Sequence, residues 1–235
     1  MKHLLSRPRR WAALALAALA ATVAAFVASR GHAAAIPPSA PSQHPSPPRP
    51  APVPPGPPPL VLVAGSRLVN GLYLDYPHSV AGAVSAAVEF VTELDSTLDP
   101  DRAATIARLT ADPSYGAAPV AAAHGVTGTR QRLGLPAAGP LPPGTAVSLV
   151  PAMFQVRNAT ASKLTVLLLF DYTATVPRGV WEHLGAMAVA MHWTPAGWRL
   201  LKPDAPDGPD APALIATPGT AAAIADGWKA MTDGL

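Results

Sequence analysis

No cysteine occurs among the 235 residues, and that absence closes several routes at once. Disulfides, thiolate nucleophiles, cysteine-ligated zinc and iron–sulfur clusters are excluded. So is a bacterial lipoprotein anchor, which needs a cysteine at the processed end. A cysteine-free chain suits an exported bacterial protein that avoids oxidative chemistry. Lys and Asn together number only six, a scarcity that fits a high-GC coding sequence. Chemical signatures are equally sparse. The chain has no Gly-rich phosphate loop, no H-E-x-x-H and no calcium-binding loop.

Acidic residues are missing from the first 59 positions, which carry Lys2, Arg7, Arg9, Arg10, Arg30 and Arg49. The overall charge of +3 therefore misleads, because residues 60–235 hold 11 basic and 14 acidic side chains. A domain with that balance lacks the positive field that a phosphate backbone requires, so nucleic acid is excluded as a partner.

Residues 11–29, WAALALAALAATVAAFVAS, contain no charge. As a helix, such a stretch spans about 28 Å, close to the hydrocarbon thickness of a bilayer. The basic residues cluster before it, which places residues 1–10 in the cytoplasm and the rest outside. The expectation is a single-pass protein of the cell membrane, held by residues 11–29. The alternative is a secreted protein cleaved near Ala35, since Ala33-Ala34-Ala35 fits a signal-peptidase site. Arg9-Arg10 lacks the flanks of a twin-arginine signal. Residues 30–59 follow as a stalk, with 13 prolines between positions 37 and 59. Proline fixes φ and removes the N–H, so this segment reads as a polyproline II spacer of up to about 70 Å. A PxxP ligand is the weaker reading.

Residues 60–202 read as one extracytoplasmic α+β domain. Asn70-Gly71 between short apolar pairs predicts a type I′ hairpin. Val80, Val84, Ala87, Val88, Val91 and Leu94 form one helical stripe, with Ser85 assigned to the polar face. Asp99-Pro100 and Asp112-Pro113 each predict a helix start, near 100 and at 113. After Gly144 the period becomes two, giving strands near 145–157, 163–175, 182–194 and 197–202. Trp193 and Trp198 flank a four-residue loop and should face each other, with Met191 opposite Leu200. Strand 164–170 is apolar on both faces and should be central, and Pro151 marks an edge or a bend. Residues 203–218 read as a linker and 219–235 as a helix with Ile224, Trp228 and Met231 on one side.

About three helices packed on a curved antiparallel sheet of four or more strands give an α+β fold, and its shape resembles the cone of the nuclear-transport-factor-2-like superfamily. In such cones Asp, Tyr and His side chains serve isomerases and dehydratases. The residues that could play that part are Asp171, Tyr172 and His183. Asp171 and Tyr172 point to opposite faces of their strand, however, and the plainer reading leaves them structural. The seven histidines show no metal-ligand spacing, so no metal and no cofactor is expected.

The stretches RLVNGLYLDYPHSVAGAVSAAVEFV (67–91), DPDRAATIA (99–107) and MHWTPAGWRLL (191–201) resemble uncharacterised single-pass membrane proteins of high-GC Gram-positive bacteria. The tethered cone is similar to scaffold subunits of type IV secretion and conjugation machines, and to membrane proteins associated with mammalian-cell-entry lipid transporters. That resemblance implies a non-enzymatic scaffold or interaction module with other envelope proteins as partners. Homo-oligomerisation is compatible with it. No catalytic residue comes with it. A small-molecule or lipid-binding cone is the alternative, and a cone-type enzyme the remaining one.

Overall fold

The computed structural model describes residues 58–203 and 215–233. The expected anchor at 11–29, nearly all of the stalk at 30–59, the Ala35 site and most of the linker at 203–218 lie outside the described residues. Among the described residues, no helix is long and apolar enough to cross a membrane.

Strand β1 (Leu60–Val61) leads into a two-stranded hairpin, β2 (Arg67–Val69) and β3 (Leu72–Leu74). Val69 faces Leu72, and the turn between them holds Asn70 at φ 52° and Gly71 at φ 75°. Both positive values are what a type I′ turn demands, and Asn and Gly tolerate them best.

Three helices follow: α1 (Val80–Asp95), α2 (Pro100–Thr110) and α3 (Ala118–Arg132). Ser79 caps α1 by accepting from the Gly82 N–H at 3.0 Å, and Asp99 caps α2 from the Asp101 N–H at 2.9 Å. The predicted stripe on α1 is rotated, because Val80 is 50 % exposed while Ala83, Val84, Ala86, Ala87 and Phe90 are buried. Small residues set this face. They let the helix approach so closely that a Cβ on Gly82 would collide with the Pro77 carbonyl oxygen. Ser85 is buried rather than on a polar face: its hydroxyl donates to the Ala81 carbonyl and accepts from the Val63 N–H at 2.9 Å.

The helix expected at residue 113 starts at Ala118 instead. Asp112 does not cap it. Its Oδ1 accepts from the backbone and hydroxyl of Ser114 at 2.9 and 2.6 Å, and its own N–H goes to the Leu200 carbonyl. An Asx turn has won over a helix cap, as the same side chain can serve either.

The main sheet has the order β1-β8-β4-β5-β6-β7, built from β4 (Ala146–Arg157), β5 (Lys163–Val176), β6 (Gly179–Thr194), β7 (Gly197–Leu200) and β8 (Lys229–Thr232). All pairs are antiparallel except β1 with β8. Trp193 faces Trp198 and Met191 faces Leu200, as expected. The β4–β5 register shifts between Pro151 and Met153, so the proline marks a bulge, where its missing N–H costs no ladder bond. Three helices against a curved, mostly antiparallel sheet fit the expected cone.

The C-terminal stretch departs most from expectation. Residues 219–235 do not form one helix. A single turn, α4 (Ala221–Ala225), is capped by Thr220 and ends before Gly227, whose φ of 88° no continuing helix adopts. The chain then enters the sheet as β8. Trp228 is 1 % exposed and packs with Met153, Leu167, Leu169 and Ala223, while Leu184 and Ala186 flank the cluster. This explains strand β5. Its even positions, Val166, Leu168 and Phe170, face α1, and its odd positions, Leu167 and Leu169, face the C-terminal segment. Both faces are covered, so both are apolar.

Candidate functional site

The sequence-predicted trio is only partly brought together. Tyr172 and His183 are direct cross-strand partners on β5 and β6, their rings 5.1 Å apart at 42°. The tight turn at Pro177-Arg178 sets this register. Asp171 pairs with Leu184 and is exposed on the other face, as the alternation of a strand requires. It cannot share a site with Tyr172.

A different carboxyl takes its place. Asp95, the last residue of α1, lies near enough to Tyr172 to raise the phenol's pKa, adding to the larger effect of burial. Burial pushes the Asp95 carboxyl up to about 6. No ion pair or hydrogen bond to it is formed among the described residues. Its position also opposes the helix dipole, whose negative end repels a carboxylate. Two costs at one residue single it out, because perturbed acids concentrate at functional sites. The sequence carried a trace of this in an acidic residue closing a helix, where a basic one is favoured.

Asp95 and His183 each lie near Tyr172, towards the β5–β6 turn, and exposed Trp181 extends the same face of β6 as His183. The interior beyond them is filled. The Phe170 ring sits over Gly185, where a Cβ would meet its Cζ at 2.5 Å. Tyr76, Phe90, Phe154 and Met191 occupy the remaining space. No hydrogen bond joins Asp95, Tyr172 and His183 among the described residues, and they do not line a deep substrate chamber.

A second polar cluster lies at the β7 edge. His192 Nδ1 and Asp112 Oδ2 are 2.7 Å apart, and Ser114 holds the other carboxylate oxygen. Burial pushes Asp112 upward, but the hydrogen bonds from Ser114 and His192 outweigh it and hold the carboxyl at about 2. Arg199 faces His192 across the hairpin and is buried, which lowers its pKa despite the nearby Asp75 and Asp112 carboxylates. Next to this cluster, His78 stacks on Trp193 at 4.2 Å and 3°, and its Nε2 lies 2.7 Å from the Ala161 carbonyl. These contacts fasten the loop before α1 to the sheet. The one hydroxyl beside the His192–Asp112 pair, that of Ser114, donates to the Asp112 carboxylate rather than to the imidazole, so the three are not arranged as nucleophile and base. Among the described residues, no group of three His or acidic side chains is placed to hold a metal ion.

The described residues form an α+β cone with an open strand edge along β6. No protein-family profile matches the sequence, and no curated protein matches it. Two solved structures are similar in part. One is Aln2 from a Streptomyces species, at 16% identity over 47% of this chain and 80% of that one, with a TM-score of 0.35. The other is an NTF2-like protein with a cystatin-like fold from Novosphingobium aromaticivorans, at 20% identity over 57% of this chain and 89% of that one, with a TM-score of 0.36.

Proposed function

We propose that the protein is a non-enzymatic interaction module of the cell envelope, anchored through residues 11–29 and raised on the stalk 30–59. Its folded part offers the outer edge of β6 to an extended segment of another envelope protein. A conjugation or secretion apparatus is the setting that the sequence resemblance implies. The observation carrying this reading is the edge itself. β7 covers β6 only from Met191 onward, and among the described residues no strand pairs with its outer side from Gly179 to Val189. Val180 and Trp181 stand 61 % and 59 % exposed at its tip. A long edge with unsatisfied N–H and C=O groups is a template for an added strand unless something guards it.

The absence of cysteine makes the test clean. Val180→Cys in the full-length protein, crosslinked in cells, should give an adduct with a second membrane protein, and Trp181→Lys should abolish it. An adduct between two copies of this chain would instead make the partner a homo-oligomer. Recovery of monomer alone, or a C-terminal reporter active only in the cytosol, refutes the proposal. A second reading, acid–base chemistry around Tyr172, is favoured by the raised Asp95 carboxyl near that phenol. It requires a turnover that Asp95→Asn abolishes.

A further inference from the structure

A groove of about 590 Å³ opens where the α1–α2 connection, the end of α3, the loop after it and the start of β4 meet. Its walls combine Leu98, Pro100, Leu141 and Val147 with the hydroxyls of Ser96 and Thr145 and with Arg130. Volumes of this size suit small ligands. Arg130 is the unusual member. It is 3 % exposed, and its Nη2 donates one hydrogen bond to the Gly139 carbonyl at 2.5 Å. The three ion pairs among the described residues are Arg67–Asp75, Arg102–Glu93 and His192–Asp112, so no carboxylate among them pairs with it. Its Nε is buried without a partner, and so is the Thr145 hydroxyl on the same groove. Of three such orphaned atoms among the described residues, two belong to these walls.

Burying a guanidinium is costly unless its donors and its charge are met. The carbonyl end of α3 offsets part of that cost through the helix dipole. It leaves the guanidinium with the Gly139 carbonyl as its one acceptor and Nε with none among the described residues, and the planar fork of a guanidinium matches the two oxygens of one acid. We propose that this groove binds a small organic acid, its carboxylate on Arg130 and its apolar body along Leu98, Leu141 and Val147. A carboxylate fits better than a phosphate. One cation serves the site, and Asp99, which also borders it, would repel a dianion. The Asp99 carboxylate is itself occupied as the cap of α2. This site is separate from the β6 edge and does not depend on what the edge binds.

Hexanoate is a suitable probe, with hexanol and inorganic phosphate as controls, titrated calorimetrically into the full-length protein in detergent. Hexanoate should bind saturably at one site, and both controls should bind at least tenfold more weakly. Arg130→Met should weaken hexanoate at least tenfold while keeping the melting temperature of the free protein within a few degrees. Leu141→Trp, which fills the groove and leaves Arg130 in place, should do the same should the Met variant fail to fold. The proposal is overturned if hexanoate gives no saturable heat, if hexanol matches it, if phosphate binds more tightly, or if the Leu141→Trp protein binds like the wild type.

Discussion

Replacing Asp95 by Asn removes a charge without changing the shape of the side chain, and the burial of that carboxyl fixes the direction of the effect. Its folded pKa lies at about 6 against an ordinary 3.8, so folding favours the protonated form. Below the ordinary 3.8 the carboxyl is mostly neutral in both folded and unfolded chains, and the substitution should change little. Between pH 4 and 6 the unfolded chain ionises while the folded one resists. Wild-type stability therefore falls across that window, and above it the full penalty applies. A displacement of this size corresponds to about 3 kcal/mol, an upper figure because the residue retains some contact with solvent. For a chain of this length, that gain moves the melting temperature by about 6–12 °C. Thermal unfolding of both proteins, followed by circular dichroism at pH 3.5 and pH 7.5, makes the comparison. The Asn variant should melt higher at pH 7.5 and together with the wild type at pH 3.5. An Asn variant less stable at pH 7.5, or a gap that does not vary with pH, refutes the argument that Asp95 is held in a site hostile to its charge.

The other carboxyl with a large displacement runs the opposite way. Asp112 sits at about 2 in the fold, so its stabilisation is complete above its ordinary 3.8 and fades as pH falls towards 2. Asp112→Asn should cost about 1–3 kcal/mol in urea unfolding at pH 6, and the deficit should shrink in acid. Trp228→Ala should cost about 3–5 kcal/mol, because the ring seals the outer face of β5. Limited proteolysis should then cut within residues 215–233 faster than in the wild type. Gly82→Ala should destabilise by about 1–3 kcal/mol or more, since its methyl would collide with the Pro77 backbone rather than with a movable side chain. A neutral result in thermal unfolding would contradict the close approach of α1 to that turn.

What could be read from the sequence was local and periodic. Asn70-Gly71 requires two positive φ values, and few sequences other than this pair supply them cheaply. The two tryptophans around Thr194-Pro195-Ala196-Gly197 leave one hairpin register, and alternation in β4, β5 and β6 follows from a half-buried sheet. The failures share a cause, which is that one residue type serves two local structures. Asp112 before Pro113 reads as a helix cap, yet Ser114 two residues later offers the same oxygens an Asx turn. Thr220 to Thr232 carries helical spacing at Ile224, Trp228 and Met231, but Gly227 breaks that spacing by taking φ 88°. The misreading of Ser85 is of the same kind, since a hydroxyl on a helix is silent about whether it meets water or the Val63 N–H. Asp171, Tyr172 and His183 were adjacent candidates in strands, and strand alternation alone separates the first from the other two. Asp95 and Arg130 could not be found that way. Each costs stability where it stands, and that cost arises only when α1 packs on the sheet and α3 on α2. Sequence periodicity reports what a segment gains by folding. A carboxyl and a guanidinium held without counter-charges show up only as what the assembled fold gives up, which is why they are the residues where binding or proton transfer is best sought.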